Sequence, residues 1–139
     1  MMRSPAESQD QVIVDHLRQA VAGVIAVYRF GSTARGTAAA TSDTDIALLA
    51  RSRLTAAQRF EAQEALAAKL GRDVDLVDLA AASTVMAMQV VTTGKLLYEA
   101  NTAARGRFED YTFSAYARLN EERRGILDRV AAQGTVYGR

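Results

Sequence analysis

Two short apolar runs, Val24–Phe30 and Ile46–Leu49, bracket a segment of small and polar residues. That arrangement most constrains the chain. Each run is too short for a buried helix and rich in β-branched, aliphatic or aromatic residues, so each reads as a buried strand, the second spanning Thr44–Ala50. Strands cannot stand alone, and these two set the core of a sheet. The segment between them begins Gly31-Ser32 and ends Ser42-Asp43-Thr44-Asp45.

Helical patterns surround the strands. From Asp10 to Ala22, the residues Ile13, Leu17, Ala20 and Val21 recur on one helix face, with Gly23 placed to close it. Residues before Ser8 read as a loose end. Thr55-Ala56-Ala57-Gln58 fits a capping box opening a helix that runs to Leu70. Phe60, Ala67 and Leu70 give that helix an apolar stripe, and Gly71 suits a left-handed end. Asp73–Leu79 alternates and reads as a third strand. Ala81–Thr93 reads as a helix ended by Gly94, and Lys95–Tyr98 as a short strand or extended tail. Thr102–Ala132 reads as one long helix, with Phe108, Tyr111, Ala115, Leu119, Ile126 and Val130 roughly along one side. The expected fold is α/β (α+β): a small mixed sheet flanked by helices, with a C-terminal helical arm. The expected division is a domain over residues 8–100 and an extension over 101–139, packed on the domain or on a partner.

Composition narrows the chemistry. The 139 residues include no cysteine and one histidine, His16. Thiol nucleophiles, disulfides and histidine-rich metal sites are therefore excluded within one chain, and any metal would be held by oxygen. The formal net charge is +1, without the basic excess usual in nucleic-acid binders. The basic pairs Arg105/Arg107 and Arg123/Arg124 read as a solvated helix face, so direct nucleic-acid binding is not expected. No stretch approaches a membrane span, the start lacks a secretory apolar core, and the expected location is the cytoplasm.

The chemistry concentrates between the first two strands. Asp43 and Asp45 are two residues apart, so in extended chain they point to one face, ~6–7 Å apart at the backbone. Two such carboxylates can converge on one hard cation; magnesium takes one or two of them and draws further ligands from substrate phosphates and water. Gly31 lets a phosphate approach the backbone and tolerates positive φ. Ser32 offers a hydroxyl and an N–H, Arg35 could neutralise phosphate charge, and Gly36 allows another bend. The segment is neither a P-loop nor a dinucleotide fingerprint. On the third strand, Asp75 lies between the core candidates Val74 and Leu76, where an unpartnered carboxylate would be costly. Asp73 and Asp78 remain alternatives to Asp75, because a one-residue slip in register exchanges them.

These residues together resemble a known family. Gly31-Ser32, ten residues, Asp43-Thr44-Asp45, then Val74-Asp75-Leu76 is similar to the signature of the DNA polymerase β-like nucleotidyltransferase superfamily. The runs GSTARGTAAATSDTDIALL and RDVDLVDL…TTGKLLYEAN resemble its minimal nucleotidyltransferases, the MNT group, and the likeness spans about Val24 to Asp110. The resemblance implies that Asp43, Asp45 and Asp75 form a catalytic, metal-binding carboxylate triad for Mg2+. It implies that Gly31 and Ser32 hold the triphosphate of ATP; Arg35 and Ser42 join them as nucleotide-binding candidates. MNT proteins pair with HEPN ribonuclease toxins. The resemblance thus implies an antitoxin that transfers AMP to a hydroxyl of its HEPN partner, a tyrosine. A transferase acting on a small molecule, an antitoxin acting by binding alone, and a nucleic-acid-binding regulator are the other readings.

Overall fold

The computed structural model describes residues 5–31 and 43–133. The chain starts with helix α1 (Pro5–Ala20), which begins earlier than the periodicity suggests. Proline at a first helical position costs nothing, because its missing N–H has no helical partner there. Ile13 and Leu17 are fully buried. Gly23, at φ +70°, turns the chain into strand β1 (Val24–Phe30).

Strand β2 (Thr44–Ala50) pairs antiparallel with β1. Helix α2 (Ala56–Leu70) then crosses over to strand β3 (Val74–Asp78), which lies parallel to β2. The capping box is present: the Gln58 N–H donates to Thr55 Oγ1 at 3.1 Å, and the Thr55 N–H donates to Gln58 Oε1 at 2.9 Å. Gly71 ends the helix at φ +66°. The expected stripe is half right. Ala67 and Leu70 pack on the core, but Phe60 is exposed, and Ala62 and Leu66 bury instead.

Helix α3 (Thr84–Thr93) starts three residues later than expected. Asp78 is the reason. Its Oδ1 accepts from the Ala80 N–H at 3.1 Å and its Oδ2 from the Leu54 N–H at 2.8 Å, holding the strand exit as a turn until Ser83 caps the helix. Strand β4 (Lys95–Glu99) pairs antiparallel with β1 through a bulge, so the segment is a strand and not a tail. Helix α4 (Thr102–Ala132) closes the described chain. The sheet order is β3-β2-β1-β4, mixed in direction.

Two apolar layers sandwich the sheet. On one face α1 and α2 cover Val27, Ile46, Leu48 and Leu76. On the other α3 and the first turns of α4 cover Tyr28, Phe30, Ala47 and Leu49. Each large side chain removed from water contributes roughly 1.5–3 kcal/mol. His16, which the helical pattern allows at the surface or half-buried, is buried, and its Nε2 lies 3.2 Å from the Ala62 carbonyl oxygen, fixing α1 on α2. Burial holds its pKa below the usual value.

An ion pair inside the first layer went unread in the sequence. Arg29, 5% exposed at the penultimate position of β1, meets Asp10 of α1 at 2.9 Å, and Lys95 meets the same carboxylate at 3.3 Å from solvent. Burial pulls the Arg29 pKa down and Asp10 opposes it. Removing one partner leaves a buried charge uncompensated. Asp10→Ala is expected to cost ~3–5 kcal/mol. Lys95→Ala, which removes an exposed partner, should cost under ~1 kcal/mol. Urea-denaturation midpoints check both; equal midpoints would show that Asp10 does not carry the pairing.

Candidate active site

The carboxylates meet because of strand register. In the parallel β2–β3 ladder Asp45 lies directly opposite Asp75, and on its other side Asp45 lies opposite Phe30, the last residue of β1. Adjacent strands lie ~4.8 Å apart, so Asp45 and Asp75 are backbone neighbours. Asp43 stands just before β2, two residues from Asp45. The bond from the Thr44 N–H to the Asp73 carbonyl, 2.9 Å, locks this register at the strand entrances.

Register also separates the alternatives on β3. Val74 and Leu76 point into the α1/α2 layer. Val77 packs on the opposite layer, and Asp75 shares its face by alternation. Asp78 is buried and committed to the Leu54 and Ala80 amides, away from the other carboxylates. Asp73 is exposed and precedes the strand. The cost argument for Asp75 needs correcting: it is exposed. Its apolar neighbours point the other way, so it is not an orphaned core charge.

Asp45 is the strained member. Partial burial, then the nearby charges of Asp75 and Asp43, push its pKa up. Among the described residues none of the three carboxylates has an ion-pair partner. Crowded, unpaired, oxygen-only donors fit a hard divalent cation. Among the described residues no three such groups close into a cage by themselves.

Gly31 completes the geometry. It follows β1 at φ +72°, and a Cβ built there would lie 2.2 Å from Asp45 Oδ2 and 3.1 Å from its Cγ. Glycine is thus required twice, for the backbone and for the space that Asp45 occupies. The motif identified this residue; its contact with Asp45 had no signal in the sequence. Ser32, Arg35 and Ser42 lie outside the described residues.

A polar network ties α4 to the sheet on the carboxylate face. The Tyr28 hydroxyl donates to Glu109 Oε2 at 2.8 Å; Arg105 donates to Glu109 at 2.8 Å and also to Glu99. Burial and the Glu109 carboxylate push the Tyr28 pKa well up, so Tyr28 stays a neutral donor. The i,i+4 spacing of Arg105 and Glu109 was the available signal for this network.

Comparison with known proteins follows the same lines. A family model described as polymerase beta, nucleotidyltransferase matches residues 11–103. Protein adenylyltransferase MntA of Shewanella oneidensis is 42% identical over 120 residues, which is 86% of each chain. A crystal structure of a toxin–antitoxin with AMP-PNP aligns with a TM-score of 0.80 at 41% identity, covering 88% of this chain and 98% of that one. The structure of a tri-AMPylated Shewanella oneidensis HEPN toxin in complex with MNT antitoxin aligns with a TM-score of 0.76 at 38% identity, covering 90% and 98%.

Proposed function

The chain belongs to the polymerase beta nucleotidyltransferase family, and from that premise we propose that it is an antitoxin that transfers AMP from ATP to a hydroxyl of a HEPN ribonuclease toxin. The observation that carries the reading is the register that places Asp45 beside Asp75, with Asp43 two residues away. The likeness to MntA, and to an MNT antitoxin solved with an AMPylated HEPN toxin, supports the substrate class and partner.

In the proposed reaction the acceptor oxygen bonds to the α-phosphorus, the bond from that phosphorus to the β-phosphate oxygen breaks, and pyrophosphate leaves. Asp75, exposed at the edge of the group, orients the acceptor hydroxyl and takes its proton or passes it to water. Asp43 and Asp45 would hold Mg2+, which offsets negative charge on the attacking and leaving oxygens. Gly31 and Ser32 would hold the phosphates, and Arg35 and Ser42 are the further nucleotide-binding candidates. The acceptor is a tyrosine. The catalytic domain spans residues 8–100 and the helical extension residues 101–139. The family match ending at residue 103 supports that division. Among the described residues no helix is long and apolar enough to cross a membrane, and a cytoplasmic location is part of this reading.

The test is intact-protein mass spectrometry of a HEPN ribonuclease toxin incubated with this chain and Mg-ATP. Whole AMP units should appear on the partner and vanish with Asp43→Ala. A stable complex without mass gain would replace the reading with neutralisation by binding. The absence of both complex and mass gain would overturn it.

A further inference from the structure

Helix α4 leaves the domain early. Thr112 is its only buried residue, and no described residue after Thr112 is buried. Among the described residues, its last five turns therefore carry no buried side chain. Among its many charged residues the helix exposes large apolar side chains: Tyr111 is 69% exposed, Ile126 53% and Leu127 67%. Tyr116, Leu119, Arg123, Ile126 and Val130 follow a 3-4-3-4 spacing, the seam by which one helix packs along another. The stripe from Tyr111 to Val130 is ~28 Å long, which is a dimension for a protein and not for a small-molecule acceptor.

Its placement links it to the carboxylates. Phe108 packs on the sheet face that Asp45 and Asp75 share. The cleft where α4 departs is lined by Ala82, Tyr111 and Ala115. A groove along β3 is lined by Asp75, Val77, Ala81 and Ala82. Ala82 belongs to both, so one continuous surface runs from the stripe to Asp75. The match to the toxin–antitoxin structure covers 88% of this chain, which carries it past Thr112.

We infer that the exposed stripe of α4 is the docking surface for the protein acceptor itself. The inference rests on the proposed function. The acceptor lays an apolar helical face on Leu119, Ile126 and Val130, sets a carboxylate opposite Arg123, and runs its reactive segment along the β3 groove to Asp75. Docking on the arm then supplies acceptor affinity, and the carboxylates supply chemistry.

The test uses the full chain with Ile126→Glu/Leu127→Glu, both exposed and far from the core. Glutamate keeps good helix propensity. Phe60→Glu, on the opposite layer, is the control. Dissociation constant and KM for the HEPN partner should both rise at least ~tenfold, as for a lost interface anchor. The kcat at saturating partner should stay within about twofold, and the control should leave all three unchanged. Asp43→Ala should bind normally and transfer nothing. Unchanged affinity and KM in the double variant would overturn the docking surface while leaving adenylylation intact. So would a wild-type chain that is dimeric alone, is made monomeric by the double variant, and still binds its partner normally. If wild type binds but transfers nothing, the proposed function fails, and the binding titration alone decides the docking surface.

Discussion

Asp45→Asn is expected to reduce nucleotidyl transfer by ~10³-fold or more and, at the same time, to make the metal-free protein more stable. On the proposed function, the activity loss follows from removing a carboxylate that would hold Mg2+, whose positive charge would offset transition-state charge by several kcal/mol. The stability gain follows from crowding. Asp45 is partly buried beside two carboxylates, and its pKa is raised by burial first and by Asp75 and Asp43 second. A carboxyl group that binds its proton more tightly folded than unfolded favours the fold at low pH. That contribution is full below the unfolded value near 3.8 and is lost as pH rises through the folded value. At neutral pH the charge on Asp45 therefore opposes folding, and asparagine relieves it. Thermal melts in EDTA at neutral pH should show a higher Tm for Asp45→Asn, and the gap should narrow as pH falls toward 4. A lower Tm would mean that Asp45 is satisfied by the fold itself, and the metal-site reading would lose its main physical support.

Gly31→Ala carries the second large effect. At φ +72° an alanine is strained by ~1–2 kcal/mol. The heavier consequence is local. The new Cβ would stand 2.2 Å from Asp45 Oδ2, with Asp45 Cγ at 3.1 Å, so the carboxylate must turn away from its neighbours. Displacing a catalytic group by about an ångström costs ~10²-fold in rate. Gly71→Ala is the control for backbone strain alone: its φ is similar, +66°, but nothing lies within 4 Å of the added Cβ. Both variants should lose comparable stability in denaturant, and only Gly31→Ala should lose activity. Equal activities would show that Gly31 serves the turn and not the carboxylate.

These effects mark how much of the site was legible. Strands β1 and β2 and helix α4 were readable to their ends, because apolar runs and helical periodicity are local properties of the chain. The Thr55/Gln58 cap and the left-handed Gly71 were readable for the same reason. Gly31, Asp43 and Asp45 stood out as a motif. The choice of Asp75 over Asp78 was open, because both are carboxylates on one short strand and only pairing tells their faces apart. Phe60 was misplaced because helical spacing defines a face only to within a residue or so, and a helix end can expose an aromatic. The Arg29–Asp10 pair was missed although an arginine inside an apolar strand needed a partner; that partner lay 19 residues earlier, on another element.

The sequence by itself determined the elements, their order, the absence of thiol chemistry and the residue types offered to a cation and a phosphate. Each follows from neighbours along the chain, where spacing and side-chain chemistry act directly. Tertiary structure alone decided that Asp45 lies opposite Asp75, that Gly31 leaves the space Asp45 fills, and that α4 projects an uncovered stripe from the catalytic face. Those are relations between residues far apart in the chain. They are fixed by strand register and by two apolar layers packing against one sheet, and no local pattern encodes them.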